Sequence, residues 1–229
     1  MFECSLTNNI PLAALSLGKL HGVYFTANRQ NTRDRNVNIN LRKIQGPWDD
    51  GFSLDKHTSR SIYIGDNEYG HPMFDTTRTE IGECLYQLKY QDDYDQAPVI
   101  ARELSTAAMT LFSSVSFVSP VPPSRHRARQ PVIEVSRHVA MNMGIPCIEN
   151  MLLKNAQTQQ MKDISNKTEK VEALCDTLYI QDVLADGLYN VLIIDDLYDT
   201  GATLEAATIV LRSCSKVRNI YVATITRKR

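Results

Sequence analysis

Val191-Leu192-Ile193-Ile194-Asp195-Asp196-Leu197-Tyr198-Asp199-Thr200-Gly201-Ala202-Thr203 is an apolar run that ends on two carboxylates and opens into a small, glycine-centred loop. Leu204, Ala207 and Leu211 follow at helical spacing. A strand buried on both faces of a parallel sheet reads as a continuous apolar run. Residues 191–194 therefore predict such a strand, with Asp195 and Asp196 at its C-terminal end, where open α/β sheets place their ligands. Neighbouring strand residues point to opposite faces, so the two acids are free to do different work. Gly201 lets backbone approach an anion closely, and Thr200 and Thr203 add hydroxyl donors. The free N–H groups and dipole of the helix start favour negative charge. Ionised carboxylates in turn make strong hydrogen bonds to hydroxyls. Acids for a diol and a loop for a phosphate describe a site for a phosphorylated ribose. The plainer alternative is a buried strand followed by an exposed acidic turn and an ordinary helix cap.

Helix and strand signals alternate on both sides of this run. Thr77 with Glu80 has the spacing of a capping box, and Ile81, Leu85 and Leu88 supply one apolar helical face. A second helix is expected over 96–111 and a strand over 115–121. A further helix opens at Pro131 and ends near Gly144 and Pro146. Short strands are expected at 147–148 and 177–180, and a helix over about 202–213 leads to a last strand at 219–226. Such alternation predicts an α/β fold: a Rossmann-like parallel sheet with helices on both faces. Residues 1–75 read differently. Asn36-Val37-Asn38-Ile39-Asn40-Leu41 alternates polar and apolar, which predicts a half-buried strand. Gly46-Pro47 and Asp50-Gly51 are turn signals, and 61–64 is a further strand. The expected division is a small, mostly β extension or hood over 1–75 and an α/β domain over 76–229.

The formal net charge of −1 gives no global field that would draw nucleic acid or a membrane. No apolar run approaches the ~18 residues of a membrane span. Met1 to Leu20 has neither an early positive charge nor a strong apolar segment, which argues against a signal peptide. The five cysteines, Cys4, Cys84, Cys147, Cys175 and Cys214, are scattered, with none at zinc-clip spacing. They fit reduced thiols and a cytoplasmic location.

The Asp-Asp-loop run is similar to the phosphoribosyl-pyrophosphate motif of type I phosphoribosyltransferases. Gln87-Leu88-Lys89-Tyr90, Ser119-Pro120-Val121-Pro122-Pro123-Ser124 with the arginines after it, and Thr158 to Asp163 extend this to a resemblance with the ComF-type branch related to amidophosphoribosyltransferases, over roughly residues 80–229. The resemblance implies a Mg²⁺-dependent phosphoribosyltransferase that moves the phosphoribosyl group from phosphoribosyl pyrophosphate to a nitrogen nucleophile, a base or an amine. It implies Asp195 and Asp196 at the ribose hydroxyls, and Asp199, Thr200, Gly201, Ala202 and Thr203 around the 5′-phosphate. Asp199 is also a candidate proton acceptor, so Asp195, Asp196 and Asp199 are the candidate catalytic residues. Ser124, Arg125 and Lys89 are expected at the pyrophosphate. Mg²⁺ would be held mostly by the substrate, as is usual for phosphate-bound magnesium, with no protein ligand assigned.

Two features depart from the family pattern. ComF-type proteins often begin with a four-cysteine zinc module, and no such set stands in this sequence. The Gly-Phe-Asn-Gln run that usually follows the arginines is replaced by Gln130-Pro131-Val132-Ile133. Other segments admit two readings. Lys89 also suits a helix C-terminus. Arg125, His126, Arg127 and Arg129 suit bidentate contacts with pyrophosphate or a solvated basic turn. The polar stretch from Thr158 to Lys170, with Lys162, Lys167 and Lys170, reads as a closing lid or as an exposed helix or loop. Arg29, Arg33, Arg35, Arg42 and Lys43, with Tyr24, Phe25 and Trp48, have the basic-aromatic mix of single-stranded DNA binding or of a charge-guarded strand edge. Trp48-Asp49-Asp50-Gly51-Phe52 is distinctive without an assigned role, and His57 and His71 read as surface or hydrogen-bonded histidines. The rival function is non-catalytic: a regulator that binds a ribose phosphate or nucleotide, or an accessory protein acting with single-stranded DNA or a protein partner. A homodimer is a further expectation, and a membrane partner is not.

Overall fold

A computed structural model of the chain describes residues 36–124, 127–155 and 166–228. Its centre is a five-stranded sheet in the spatial order Arg42–Lys43 (β1), Asp50–Lys56 (β2), Val217–Arg227 (β9), Tyr189–Tyr198 (β8) and Phe117–Pro120 (β5). β2, β9, β8 and β5 are parallel, and β1 runs against β2. Val191, Leu192, Ile193 and Ile194 lie in β8 and are 0% exposed, as a strand covered on both faces requires. Alternate residues enter opposite cores. Leu192 and Ile194 pack with Phe52, Leu54, Ala223 and Ile225 beneath α1 (Glu80–Tyr90), α2 (Gln96–Leu111) and α3 (Pro131–Met143). Val191 and Ile193 pack with Phe117, Ile220, Val222 and Trp48 beneath α4 (Lys167–Cys175) and α5 (Ala202–Arg212). The fold is therefore α/β, a largely parallel sheet between two helical layers. Among the described residues no helix is long and apolar enough to cross a membrane.

The boundary expected near residue 75 does not coincide with the edge of the sheet. β2 lies inside it, paired with β9 from Asp50↔Tyr221 to Lys56↔Arg227. Asp50-Gly51, expected as a turn, opens this strand because β9 pairs with it from its first residue, and Ser53 is as buried as Leu54 because both sides are covered. What stands outside the sheet is a hairpin of β3 (Thr58–Asp66) and β4 (Pro72–Arg78). Residues 36–41 form no strand. Val37 is buried and Ile39 packs against the first core, so their alternation reports burial without a ladder.

Thr79, not Thr77, caps α1, its Oγ1 accepting from the Gly82 N–H at 3.0 Å. Thr77 lies in β4 opposite Arg60. The expected strand at 177–180 is β7 (Leu178–Ile180), which pairs with β6 (Leu152–Lys154) in a separate antiparallel ribbon. Cys147 makes only an isolated parallel bridge to Val118. β8 runs past the acids to Tyr198 because β9 keeps pairing with it, through Asp195↔Thr224 and Tyr198↔Arg227. The Trp48–Phe52 run gains a structural role. Asp49 Oδ2 accepts from the Ile220 N–H and from Arg212 Nη2, each at 2.7 Å, and so pins the entry of β2 to β9 and to the end of α5.

Candidate functional site

The two acids divide between the faces of β8. Asp195 follows Ile193 to the α5 side, where it lines a cavity of about 50 Å³ with Lys170, Tyr198, Asp199, Thr200, Gly201, Ala202 and Thr203. Its Oδ1 accepts from the Asp196 N–H at 2.8 Å. Burial first, and then the charge of Asp196, push its pKa up to about 7. Asp196 follows Ile194 to the α1 side and accepts from Lys89 Nζ at 2.8 Å, both side chains about a quarter exposed (25% and 23%).

The loop after the acids is shaped by two residues. Gly201 starts α5 at φ 81°, and a Cβ there would come within 2.9 Å of the Tyr198 ring. Tyr198 is held in turn, edge-on to Trp48 at 6.4 Å between centroids and donating its hydroxyl to the Gln45 carbonyl at 3.3 Å. A side chain at position 201 would thus press on an anchored ring. Thr200 Oγ1 lies 3.4 Å from the Ala202 N–H. Beyond it the first N–H groups of α5 have no partner within the helix, as at any helix start. Asp199, which puts an unwanted negative charge into a phosphate loop, is exposed and takes a hydrogen bond from Lys228 Nζ at 3.1 Å. Lys170, half-buried on α4, brings a cation to the same cavity, whereas Lys167 is paired with Glu205 at 2.6 Å. Lys162 and the rest of Thr158 to Asp163 lie outside the described residues.

On the α1 side, the carbonyl of Lys89 accepts from the Arg127 guanidinium. Arg129 stacks over the Tyr94 ring at 3.7 Å and pairs with Glu134 at 3.4 Å. These two arginines hold the segment after β5 against α1 and α3. Ser124 is exposed in that segment, and Arg125 and His126 lie outside the described residues. So do Arg29, Arg33, Arg35, Tyr24 and Phe25, while Lys43 of the same basic group pairs with Asp50 at 2.9 Å.

His57 joins the site without any local sequence signal. Its Nδ1 lies 3.4 Å from Thr226 Oγ1, which donates to the Asp196 carbonyl at 3.1 Å. Burial, followed by the nearby Arg78 and Lys89 cations, lowers its pKa and keeps the ring neutral. Only the order β2-β9-β8 brings residues 57 and 196 together. Gly82 permits the approach, since a Cβ there would fall 2.1 Å from the His57 carbonyl oxygen. The cysteines stand apart: burial pushes the Cys147 thiol up to about 12, far from a reactive thiolate. Among the described residues no three His, Cys, Asp or Glu side chains gather as a metal cluster.

No protein-family model matches the chain. It is 27% identical over 148 residues to competence protein ComFC of Bacillus subtilis (strain 168), a match that covers 63% of this chain and spans 59% of that relative's length. Similar solved structures include adenine phosphoribosyltransferase from Leishmania tarentolae, at 12% identity and TM-score 0.43, covering 81% of this chain and 82% of that one. Adenine phosphoribosyltransferase from Trypanosoma brucei in complex with AMP, pyrophosphate and ribose-5-phosphate matches at 13% identity and TM-score 0.45, covering 81% and 73%. The allosteric regulatory enzyme of purine biosynthesis matches at 16% and 0.44, covering 69% and 34%. The chain is thus similar to ComFC over a little under two thirds of its length, and it carries an acid-tipped parallel strand that leads into a glycine-started helix.

Proposed function

We propose that the chain binds phosphoribosyl pyrophosphate and transfers its phosphoribosyl group to a nitrogen nucleophile, a base or an amine. One observation carries this reading: Asp195 and the first turn of α5 line a single small cavity at the C-terminal end of β8. In that reading the helix start, Thr200, Thr203 and Lys170 hold the 5′-phosphate, and Asp195 and Asp196 take the ribose hydroxyls from the two sides of β8. The nucleophile forms a bond to the anomeric carbon as the bond to pyrophosphate breaks, and positive charge builds on the ring. Carboxylates fixed beneath the ring stabilise that charge without rearranging. Lys89 stands beside Asp196, where it balances the acid before substrate arrives and meets the pyrophosphate afterwards. Ser124 and Arg125 complete the pyrophosphate side, and Asp199, once drawn from Lys228, accepts a proton. Carboxylate and phosphate oxygens are the hard donors that suit Mg²⁺, and in this reading the ion arrives on the substrate. When bound, Mg²⁺ supplies positive charge to the leaving pyrophosphate.

Isothermal titration with phosphoribosyl pyrophosphate and Mg²⁺ is expected to show binding that the Asp195→Asn/Asp196→Asn variant loses. Absence of binding to the unmodified protein overturns the proposal. A second reading draws support from the name of the relative, a competence protein: the site senses a ribose phosphate or nucleotide while other surfaces contact single-stranded DNA or a protein. Pyrophosphate release against a panel of bases and amines decides between them. Binding without release from any acceptor, with salt-sensitive DNA binding lost in Arg33→Ala/Arg35→Ala, selects the regulator.

A further inference from the structure

Among the described residues the hairpin of β3 and β4 has no strand partner except itself. Ile62, Tyr63, Ile64, Tyr69, Met73 and Phe74 are 36%, 54%, 59%, 75%, 41% and 54% exposed along it. A lone two-stranded ribbon is at best marginal in water, and contiguous exposed apolar surface marks an interaction site. The two faces of the ribbon differ. On one, Ser61 Oγ and Thr76 Oγ1 lie 3.2 Å apart and Tyr63 meets Phe74 edge-on, their centroids 5.8 Å apart, so cross-strand neighbours satisfy each other. Alternation puts Arg60 and Ile62 on the opposite face together with Met73 and Asp75, with Ile62 across from Asp75 and Arg60 across from Thr77. Neither the Arg60 nor the Asp75 side chain has a hydrogen-bond or ion-pair partner among the described residues.

An apolar centre flanked by one unpaired cation and one unpaired anion is complementary to itself. We propose that this face is a homodimer interface, in which a two-fold axis passing close to Ile62 sets Arg60 of each copy on Asp75 of the other. The charges argue for a second copy over a polyanion: residues 58–78 carry Arg60 and Arg78 against Asp66, Glu68 and Asp75. The surface is small, so the dimer is of the weak, concentration-dependent kind.

Sedimentation velocity of the full chain over a micromolar to submillimolar series tests this. The unmodified protein is expected to dimerise. Arg60→Asp and Asp75→Arg should each weaken the dimer about tenfold or more, since each sets like charges face to face. Combining them, Arg60→Asp/Asp75→Arg, restores opposite charges and should bring dimerisation back to within about threefold. Both positions are exposed, and matching thermal melts confirm that the variants fold. A protein monomeric throughout the series, single variants that dimerise unchanged, or a double variant that stays monomeric each overturn the proposal. Binding of single-stranded oligonucleotide by the ribbon of a monomer does so too. None of these outcomes involves the ribose-phosphate site.

Discussion

At Asp195 the position in the strand sets the chemistry. The residue is one place past a fully buried run, on the face that meets α5, so its carboxyl loses solvent and sits beside a second acid. Its pKa stands near 7 against an ordinary 3.8. Between those limits the folded protein binds a proton that the unfolded chain has released, and stability falls as pH rises through the window. Asp195→Asn should therefore raise the melting temperature most above pH 7 and leave it unchanged below the ordinary carboxyl range, a comparison that thermal melts across pH can make. Asp196 instead faces a cation, the Lys89 ammonium. Lys89→Ala should cost more than the ~1 kcal/mol of an exposed pair and less than the ~3–5 kcal/mol of a buried one. Urea melts of the two single variants and the double give that coupling directly. The pairing of these acids with separate partners follows from strand alternation and was legible in the sequence. Lys89 read as a contact for pyrophosphate or as a helix-end cation, and its pairing with Asp196 was not legible because the two lie 107 positions apart. His57 was illegible for the same reason.

At the scale of elements, local chemistry was readable where a side chain acts on its own neighbours. Pro131 opens α3, Gly144 closes it, and Gly201 starts α5. Gly201→Ala places a Cβ both in the left-handed region and against Tyr198. It should cost about 1–2 kcal/mol from the backbone alone and weaken phosphoribosyl pyrophosphate binding, read by denaturation and titration on the same preparation. Local reading failed where a distant strand decides. Asp50-Gly51 reads as a turn, yet β9 draws both residues into β2, opposite Tyr221 and Val222. Residues 36–41 have the pattern of a half-buried strand and find no strand to pair with. Asp49 is the device that distinguishes them, since it fixes the start of β2 to Ile220 and Arg212. Removing it in Asp49→Ala leaves the Ile220 N–H short of an acceptor, and the expected loss is about 1–3 kcal/mol in chemical denaturation.

For the molecule as a whole, the site couples ligand to fold. The acids, the loop and Lys170 come from β8, α5 and α4, so a ligand that engages all three binds only the folded chain. Phosphoribosyl pyrophosphate with Mg²⁺ at a hundred times its Kd should stabilise the protein by about 2.7 kcal/mol. Differential scanning fluorimetry is expected to show the rise in the unmodified protein and none in Asp196→Asn. The alternation of helices and strands announced this architecture, and of the ribbon at 58–78 the sequence located only the stretch at 61–64, within β3.

The place of β9 has a consequence for how the chain reaches its native state. β2 and β8 sit on either side of it and touch through it, although all of α1 to α4 lies between them in the chain. A growing polypeptide that has emerged only as far as α5 carries two apolar half-sheets, each with an unzipped edge. They join when residues 217–227 slot between them, a late, long-range closure of the kind that slows folding. Until that moment apolar surface stays open to water, and the cavity beside Asp195, a residue that pairs with Thr224, is not yet formed.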